Sequence, residues 1–251
     1  MTEARTQAEA IHRETLADQV ANLLMRSIVE EGMQPGDPLP GEMQLSLRYK
    51  VCRPVAREAL RHLAALNMIK LSNGKVPVVK PVTGELLRTH FDWILQREEI
   101  TFVELHELRR GVEGICAYYA AKRRDERDVQ VLSSLLESME REDVRNRFSE
   151  LDVELHVAIA RAAHNRLLQQ TVESIRGTMG DVIRTGMSNM EHERRSESAL
   201  VRLRRGHRKI IQPIVDKEPE VARERMDEHL RQAVARYVAA GRVAASRWAS
   251  I

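Results

Sequence analysis

Apolar residues recur at helical spacing through most of this chain of 251 residues. Leu16, Val20, Leu23, Leu24 and Ile28 share one face of a first predicted helix, about Leu16 to Glu31, and Gly32 stops it. The following loop, Gln34-Pro35-Gly36-Asp37-Pro38-Leu39-Pro40-Gly41, cannot be helical, because its prolines lack amide donors and its glycines are permissive. A short helix is predicted over 42–49 and a third over 54–67, with Pro54 in the first turn, where a missing N–H costs little. Ile69-Lys70-Leu71 and Val76-Pro77-Val78-Val79 flank Ser72-Asn73-Gly74-Lys75 and predict a β-hairpin turning at Asn73-Gly74. Three helices and a hairpin make a winged helix-turn-helix plan. Past Lys80-Pro81-Val82-Thr83-Gly84 the chain carries no strand signal. Helices are predicted near 84–98, 101–122, 126–142, 147–163, 165–186, 198–216 and 219–240, with short stops such as Ala163-His164-Asn165 and Asp216-Lys217-Glu218-Pro219. The expected fold is therefore mostly α: a winged helix-turn-helix domain over 1–80, then an all-α antiparallel bundle of about seven helices over 81–251.

Composition agrees with a folded helical protein: 43% of residues are hydrophobic and only 4% aromatic. No apolar run approaches the roughly 18 residues needed to span a bilayer, so no membrane partner is expected. Met1 to Glu14 is polar and mixed in charge, unlike a secretory signal. Cys52 and Cys116 form no framework or CxxC pair, and a reducing, cytoplasmic setting is the simplest reading. The net charge of +3 says little about partners, but its distribution says more. Residues 1–47 hold three Arg against eight acidic residues, whereas 48–80 hold eight Lys or Arg against Glu58 alone. A basic block in a balanced chain is the footprint of a phosphate-binding surface, although charge alone also fits a solvated basic face.

The third helix sharpens the choice. On a helical wheel Cys52, Ala56, Ala59, Leu63 and Leu66 share one arc, predicted to pack, with Cys52 acting as a small buried hydrophobe rather than a redox sensor. Arg53, Arg57 and Arg61 fall on the opposite side, where guanidiniums can pair with a guanine edge or clamp a phosphate. The segment MQPGDPLPGEMQLSLRYKVCRPVAREALRHLAALNMI, residues 33–69, resembles the DNA-binding domain of GntR-family regulators, whose pattern is a Pro-Gly-Asp-x-Leu-Pro loop followed by Val-Ser-Arg-x-x-Val-Arg-Glu-Ala-Leu. The resemblance implies DNA contacts at Arg53 and Arg57, with Pro54 and Val55 beside them, and a wing tip of Asn73, Gly74 and Lys75 in the minor groove. Three departures stand out: Met43 where the family often has Arg, Cys52 for Ser, and Pro54-Val55 for a hydroxyl-bearing pair. They imply a related but altered operator.

Asp152 and His156 stand i, i+4 on one predicted helix, with Ile159 and Ala163 continuing that face. His207 aligns with Leu203, Ile210 and Ile214, and His229 with Met226, Ala233 and Tyr237. Three imidazoles and a carboxylate on inward positions of three helices suit a divalent transition metal, Zn²⁺ first, with Ni, Mn or Fe as alternatives. Spacing alone fits a hydrogen-bonded polar core better than a metal site. The segments ELRRGVEGICAYYAAKR, LDVELHVAIARAAHNRLL and GHRKIIQPIVDKEPEVARERMDEHL resemble the FCD-type effector domain of the FadR branch of this family. That resemblance implies metal ligation by Asp152, His156, His207 and His229, a small organic or sugar acid on the metal, and a homodimeric repressor or activator. It also implies that Arg109 reaches the effector carboxylate, although Arg110 next to it has the same chemistry. Two other functions fit the sequence less well. A metal-dependent hydrolase lacks an HExxH motif or a nucleophile elbow, and a purely architectural DNA-binding protein would not need polar residues at the four ligand positions.

Overall fold

The computed structural model of the chain describes residues 14–141, 147–186 and 197–239. The polar N-terminal stretch and the side chain of Tyr237 lie outside the described residues. The chain divides into two compact units, Met1–Leu86 and Leu87–Ile251. Among the described residues there are ten helices and two strands.

The first unit holds α1 (Leu16–Glu30), α2 (Glu42–Tyr49), α3 (Arg53–Ala65), β1 (Ile69–Lys70) and β2 (Val78–Val79). Thr15 and Asp18 form a reciprocal capping box that starts α1. The two strands pair antiparallel, Ile69 opposite Val79. They are shorter than the sequence predicts because Pro77 has no N–H to extend the ladder. The Pro-Gly loop completes the wing: the amide of Leu39 donates to Pro77 O (2.8 Å) and that of Val79 to Asp37 O (3.0 Å). Val20, Leu24, Leu45, Ala56, Ala59, Leu60 and Leu63 close the core. Four residues depart from the sequence reading. Cys52 is exposed, because it is the N-cap of α3, with extended backbone, and the helical wheel does not reach it. Leu66 at the far end of α3 and Leu16 and Leu23 on α1 are also exposed, at the edges of arcs wider than the contact they make.

The second unit consists of α4 (Glu85–Gln96), which begins at the division, α5 (Phe102–Arg123), α6 (Glu126–Glu140), α7 (Phe148–Ala162), α8 (Arg166–Gly186), α9 (Glu197–Val215) and α10 (Pro219–Ala239). Capping boxes at Thr101/Glu104 and Asp125/Asp128 start α5 and α6. His164 and Lys217 adopt positive φ at the stops between α7 and α8 and between α9 and α10. Helix α5 packs against α7, α8, α9 and α10. Helix α7 packs on α5, α6 and α8 and is buried on nearly every side, through Leu155, Ala158, Ile159, Ala160 and Ala162 among others. Ser149, Glu150, Glu154 and Arg161 form its exposed stripe, whereas His156 is enclosed by protein and Asp152 is nearly so. No helix among the described residues is long and apolar enough to cross a membrane.

Candidate functional site

Helix α7 carries Asp152 and His156 one turn apart, α9 carries His207, and α10 carries His229. The structure brings all four together: one ligand atom from each lies within 4.8 Å of the others. The His207 and His229 ring centroids are 4.6 Å apart, and His156 is 5.6 and 5.4 Å from them. All three rings are buried. Gly206 makes the approach of His229 possible, since a Cβ there would fall 2.9 Å from His229 Nδ1.

Burial first, then the charge of Arg176, push His156 down to about 4, against the opposing pull of Glu113 and Asp152. Burial, with the neighbouring rings of His207 and His156, holds His229 well below the usual histidine value. Both are thus neutral imidazoles with a lone pair to offer. Burial works against the charge of Asp152, but His207, Arg176 and His156 outweigh it and keep its pKa well below the ordinary carboxylate value. His156 Nε2 and both ring nitrogens of His207 are buried with no hydrogen-bond partner. The 2.9 Å approach of Asp152 Oδ1 to His207 Nε2 is therefore an electrostatic contact, not an aligned hydrogen bond. Orphaned nitrogens of this kind are rare in a polar core and fit a divalent cation.

Beneath this cluster lies an ionic network. Glu113 on α5 contacts His156 Nδ1, which directs Nε2 towards the other ligand atoms. Glu113 also accepts from Arg109 Nε (2.6 Å) and from Arg176 Nε and Nη2 (both 2.9 Å). Arg176 on α8 reaches Asp152 Oδ2 as well (2.9 Å). Burial alone would raise Glu113, but Arg109, Arg176 and His156 hold it well below the usual carboxylate range. Arg109 is buried in this network through Nε, and its Nη groups make no further hydrogen bond among the described residues. Arg110 instead binds Asp227 across to α10 (2.7 and 2.9 Å) and is half-buried. A groove of about 170 Å³ between α9 and α10 is bordered by Arg202, Arg205, Lys209, Arg225, Glu228 and His229, with Arg225 paired to Glu228 (2.9 Å). A second group, Asp125, Asp128 and His164, is a surface arrangement whose carboxylates already cap α6.

In the first unit Arg53, Pro54 and Arg57 are exposed along α3 and Val55 is half-buried, while Asn73, Gly74 and Lys75 form the exposed tip of the hairpin. Gly74 has φ +69, which the turn requires. Arg53 has no ion pair among the described residues. Arg57 is held in a fork by Glu42 at the start of α2, both contacts at 2.9 Å. Glu42, Glu113 and Arg176 are the partners that sequence reasoning missed. The i, i+4 spacing of Arg109 and Glu113 was the only available signal.

Comparison with known proteins places two domains on these two units. The description "Bacterial regulatory proteins, gntR family" matches residues 16–79, and "FCD domain" matches residues 104–232. The chain is 24% identical over 225 residues to the Glc operon transcriptional activator of Escherichia coli K12, covering 87% of each chain. It is 28% identical over 190 residues to the galactonate operon transcriptional repressor of the same organism, covering 70% of this chain and 83% of the repressor. Its fold resembles that of the solved Streptococcus agalactiae GntR, with a TM-score of 0.64 and 24% identity over 86% of this chain and 98% of the other.

Proposed function

Because the chain belongs to the GntR family of bacterial transcription regulators and carries an FCD domain, we propose that its DNA binding is switched by a small organic or sugar acid held at a metal centre of the second unit. It is a DNA-binding regulator and not an enzyme. The observation that carries the effector reading is the buried set Asp152, His156, His207 and His229, with unpartnered ring nitrogens, beside the guanidiniums of Arg109 and Arg176. These four side chains would hold a divalent transition metal, most simply Zn²⁺. The bound metal would supply Lewis-acid positions for a carboxylate oxygen. Glu113 orients His156, and Arg176 ties Asp152 to Glu113. Arg109 holds its free Nη groups beside the centre, where they suit the second carboxylate oxygen. The basic groove between α9 and α10 favours an anionic ligand. A relative that represses a galactonate operon supports the acid class.

The working units of this reading are 1–80 and 81–251, the second also joining two copies in a homodimer, so that two wings meet two operator half-sites. An acid switches the regulator only by binding its DNA-competent and incompetent states unequally. The test is metal analysis followed by calorimetric titration of organic and sugar acids. We expect close to one ion per chain, because all four ligands come from one chain, and acid binding at least about tenfold weaker after chelation. One ion per two chains, or acid affinity unchanged without metal, overturns the reading.

Arg53, Pro54, Val55 and Arg57 would read or clamp operator DNA from α3, with Asn73, Gly74 and Lys75 entering the minor groove. Glu42 presets the guanidinium plane of Arg57. Arg57→Ala is expected to weaken operator binding by about 1–3 kcal/mol, with a larger loss in Arg53→Ala/Arg57→Ala. Undiminished gel-shift affinity of the double variant would refute the assignment.

A further inference from the structure

Glu42 opens α2, and Arg57 stands one turn into α3. Their contact is a side-on fork: Arg57 Nε donates to Oε1 and Nη2 to Oε2, both at 2.9 Å. Bonds from Arg57 foremost, then the charges of Arg57, Arg61 and Arg53, hold Glu42 below the ordinary carboxylate value, against a slight desolvation. The two side chains are 53% and 39% exposed, so the pair adds little to the stability of the fold. The fork leaves one edge of the guanidinium open, formed by Nη1 and the second hydrogen of Nη2. Two parallel donors suit the O6 and N7 acceptors of a guanine in the major groove. They suit a phosphate equally in shape, but not in charge. Glu42 cancels the charge of Arg57 and stands beside any phosphate that approaches it. The other two arginines on this side of α3 differ. Arg61 meets Glu58 only at 3.8 Å, and Arg53 has no ion pair among the described residues.

We propose that Glu42 is a specificity-determining residue: it turns Arg57 from a phosphate clamp into a reader of one guanine for each α3 that binds. The proposal rests on the reading given above, in which α3 meets DNA. Glu42 acts through Arg57 in two ways. Held along one edge, the guanidinium loses its freedom to turn, so a guanine meets a donor pair that is already oriented. Adenine sets a donor beside N7, thymine a single acceptor and a methyl group, and cytosine only a donor, so none matches both hydrogens. The carboxylate also works against wrong sites. Away from the operator the contacts are to phosphates, and there a neutral pair gains nothing from counterion release. Discrimination therefore comes as much from weak binding elsewhere as from tight binding to the operator.

The experiment selects bound duplexes from a random DNA pool with the full chain, then titrates the preferred duplex and a scrambled one over a range of salt. The wild type is expected to prefer guanine about tenfold or more at a position where Arg57→Ala has no preference. The other positions should persist in that variant. Glu42→Ala should relax the same position to within about threefold. On the scrambled duplex it should bind more tightly than the wild type. Its log affinity against log salt should steepen by about 0.9, the value of one added phosphate contact. Glu42→Gln, which keeps one acceptor but no charge, should match Ala in slope and lie between Ala and wild type in base preference. Glu42→Ala/Arg57→Ala should return the slope to the wild-type level, because the pair as a whole contributes none to it. Melting temperatures should match throughout; a merely structural pair would shift them and leave base preference alone. Wild-type preference and slope in Glu42→Ala, or a double variant with a slope about 0.9 flatter than wild type, makes Arg57 a phosphate clamp and overturns the proposal. So does a wild type that enriches no guanine dependent on Arg57. If Arg53→Ala/Arg57→Ala binds every duplex as the wild type does, the reading of α3 itself falls, and this proposal with it.

Discussion

Replacing Glu113 by Ala is expected to cost about 3–5 kcal/mol of stability and to lower the Tm by about 10 °C. Glu113 is buried, and its two oxygens take bonds from Arg109 and Arg176 and contact His156. Removing it leaves the Arg109 guanidinium with no counter-ion in hydrogen-bond reach and leaves Arg176 with Asp152 alone. Two buried cations facing each other without a shared anion are far more costly than the pair was favourable, since most of the loss is uncompensated desolvation. Metal affinity should fall in the same variant, by about 10–100-fold, because His156 loses the acceptor that sets its tautomer. Glu113→Gln, which keeps one acceptor, should lie between Ala and wild type. Asp227→Asn is the contrast: it breaks the Arg110 pair, which is half-exposed, and should cost no more than about 1 kcal/mol. Thermal unfolding of the metal-free proteins checks this, and a Glu113→Ala midpoint within about 2 °C of wild type would show that the network is better solvated than its burial indicates.

Acidification should destabilise the metal-free protein well before ordinary carboxylates titrate. His106 and His156 are pushed down to about 3 and about 4, the first by burial and then Arg109, the second by burial and then Arg176. His229 is lowered by burial and then by His207. In the unfolded chain each titrates near its ordinary value of about 6.5. Below that pH the unfolded state binds protons that the folded state refuses, so stability is fully present above about pH 6.5 and is lost as pH falls towards the folded values. His106 and His156 alone amount to on the order of 4 kcal/mol by pH 5, and His229 acts in the same direction. Further down, Glu113 and Asp152 add to the loss. Their folded values are depressed, so their contribution is present above the ordinary carboxylate range and disappears as pH falls through and below it. Urea unfolding of chelator-treated protein at pH 7.5, 6.5, 5.5 and 5.0 measures the slope. A midpoint that stays level across that series contradicts three neutral buried imidazoles.

Much of this molecule is written locally. The stops at His164 and Lys217, the non-helical Pro-Gly loop, the turn at Gly74 and the apolar period of each helix depend on residues within a few positions of one another, and are legible without any tertiary contact. It also placed Asp152 and His156 on one helical face and His207 and His229 on inward positions of two others, because helical periodicity says which side of a helix is apolar. The exposure of Cys52 was not legible in that way: a wheel assumes a helix, and the helix begins one residue later. Which charges lose their water, and what replaces it, follows from how the helices pack. Arg176 meets Glu113 across 63 positions of sequence, and Arg57 meets Glu42 across 15. Arg109 and Arg110 are identical in sequence chemistry, yet α5 turns one into the ionic network and the other towards Asp227 on α10. Desolvation depends on which helices close over a side chain, and that is a property of packing rather than of neighbours along the chain. His106 lies among apolar and charged neighbours much as an exposed histidine would. It is the packing around α5 that leaves its ring buried and unpaired.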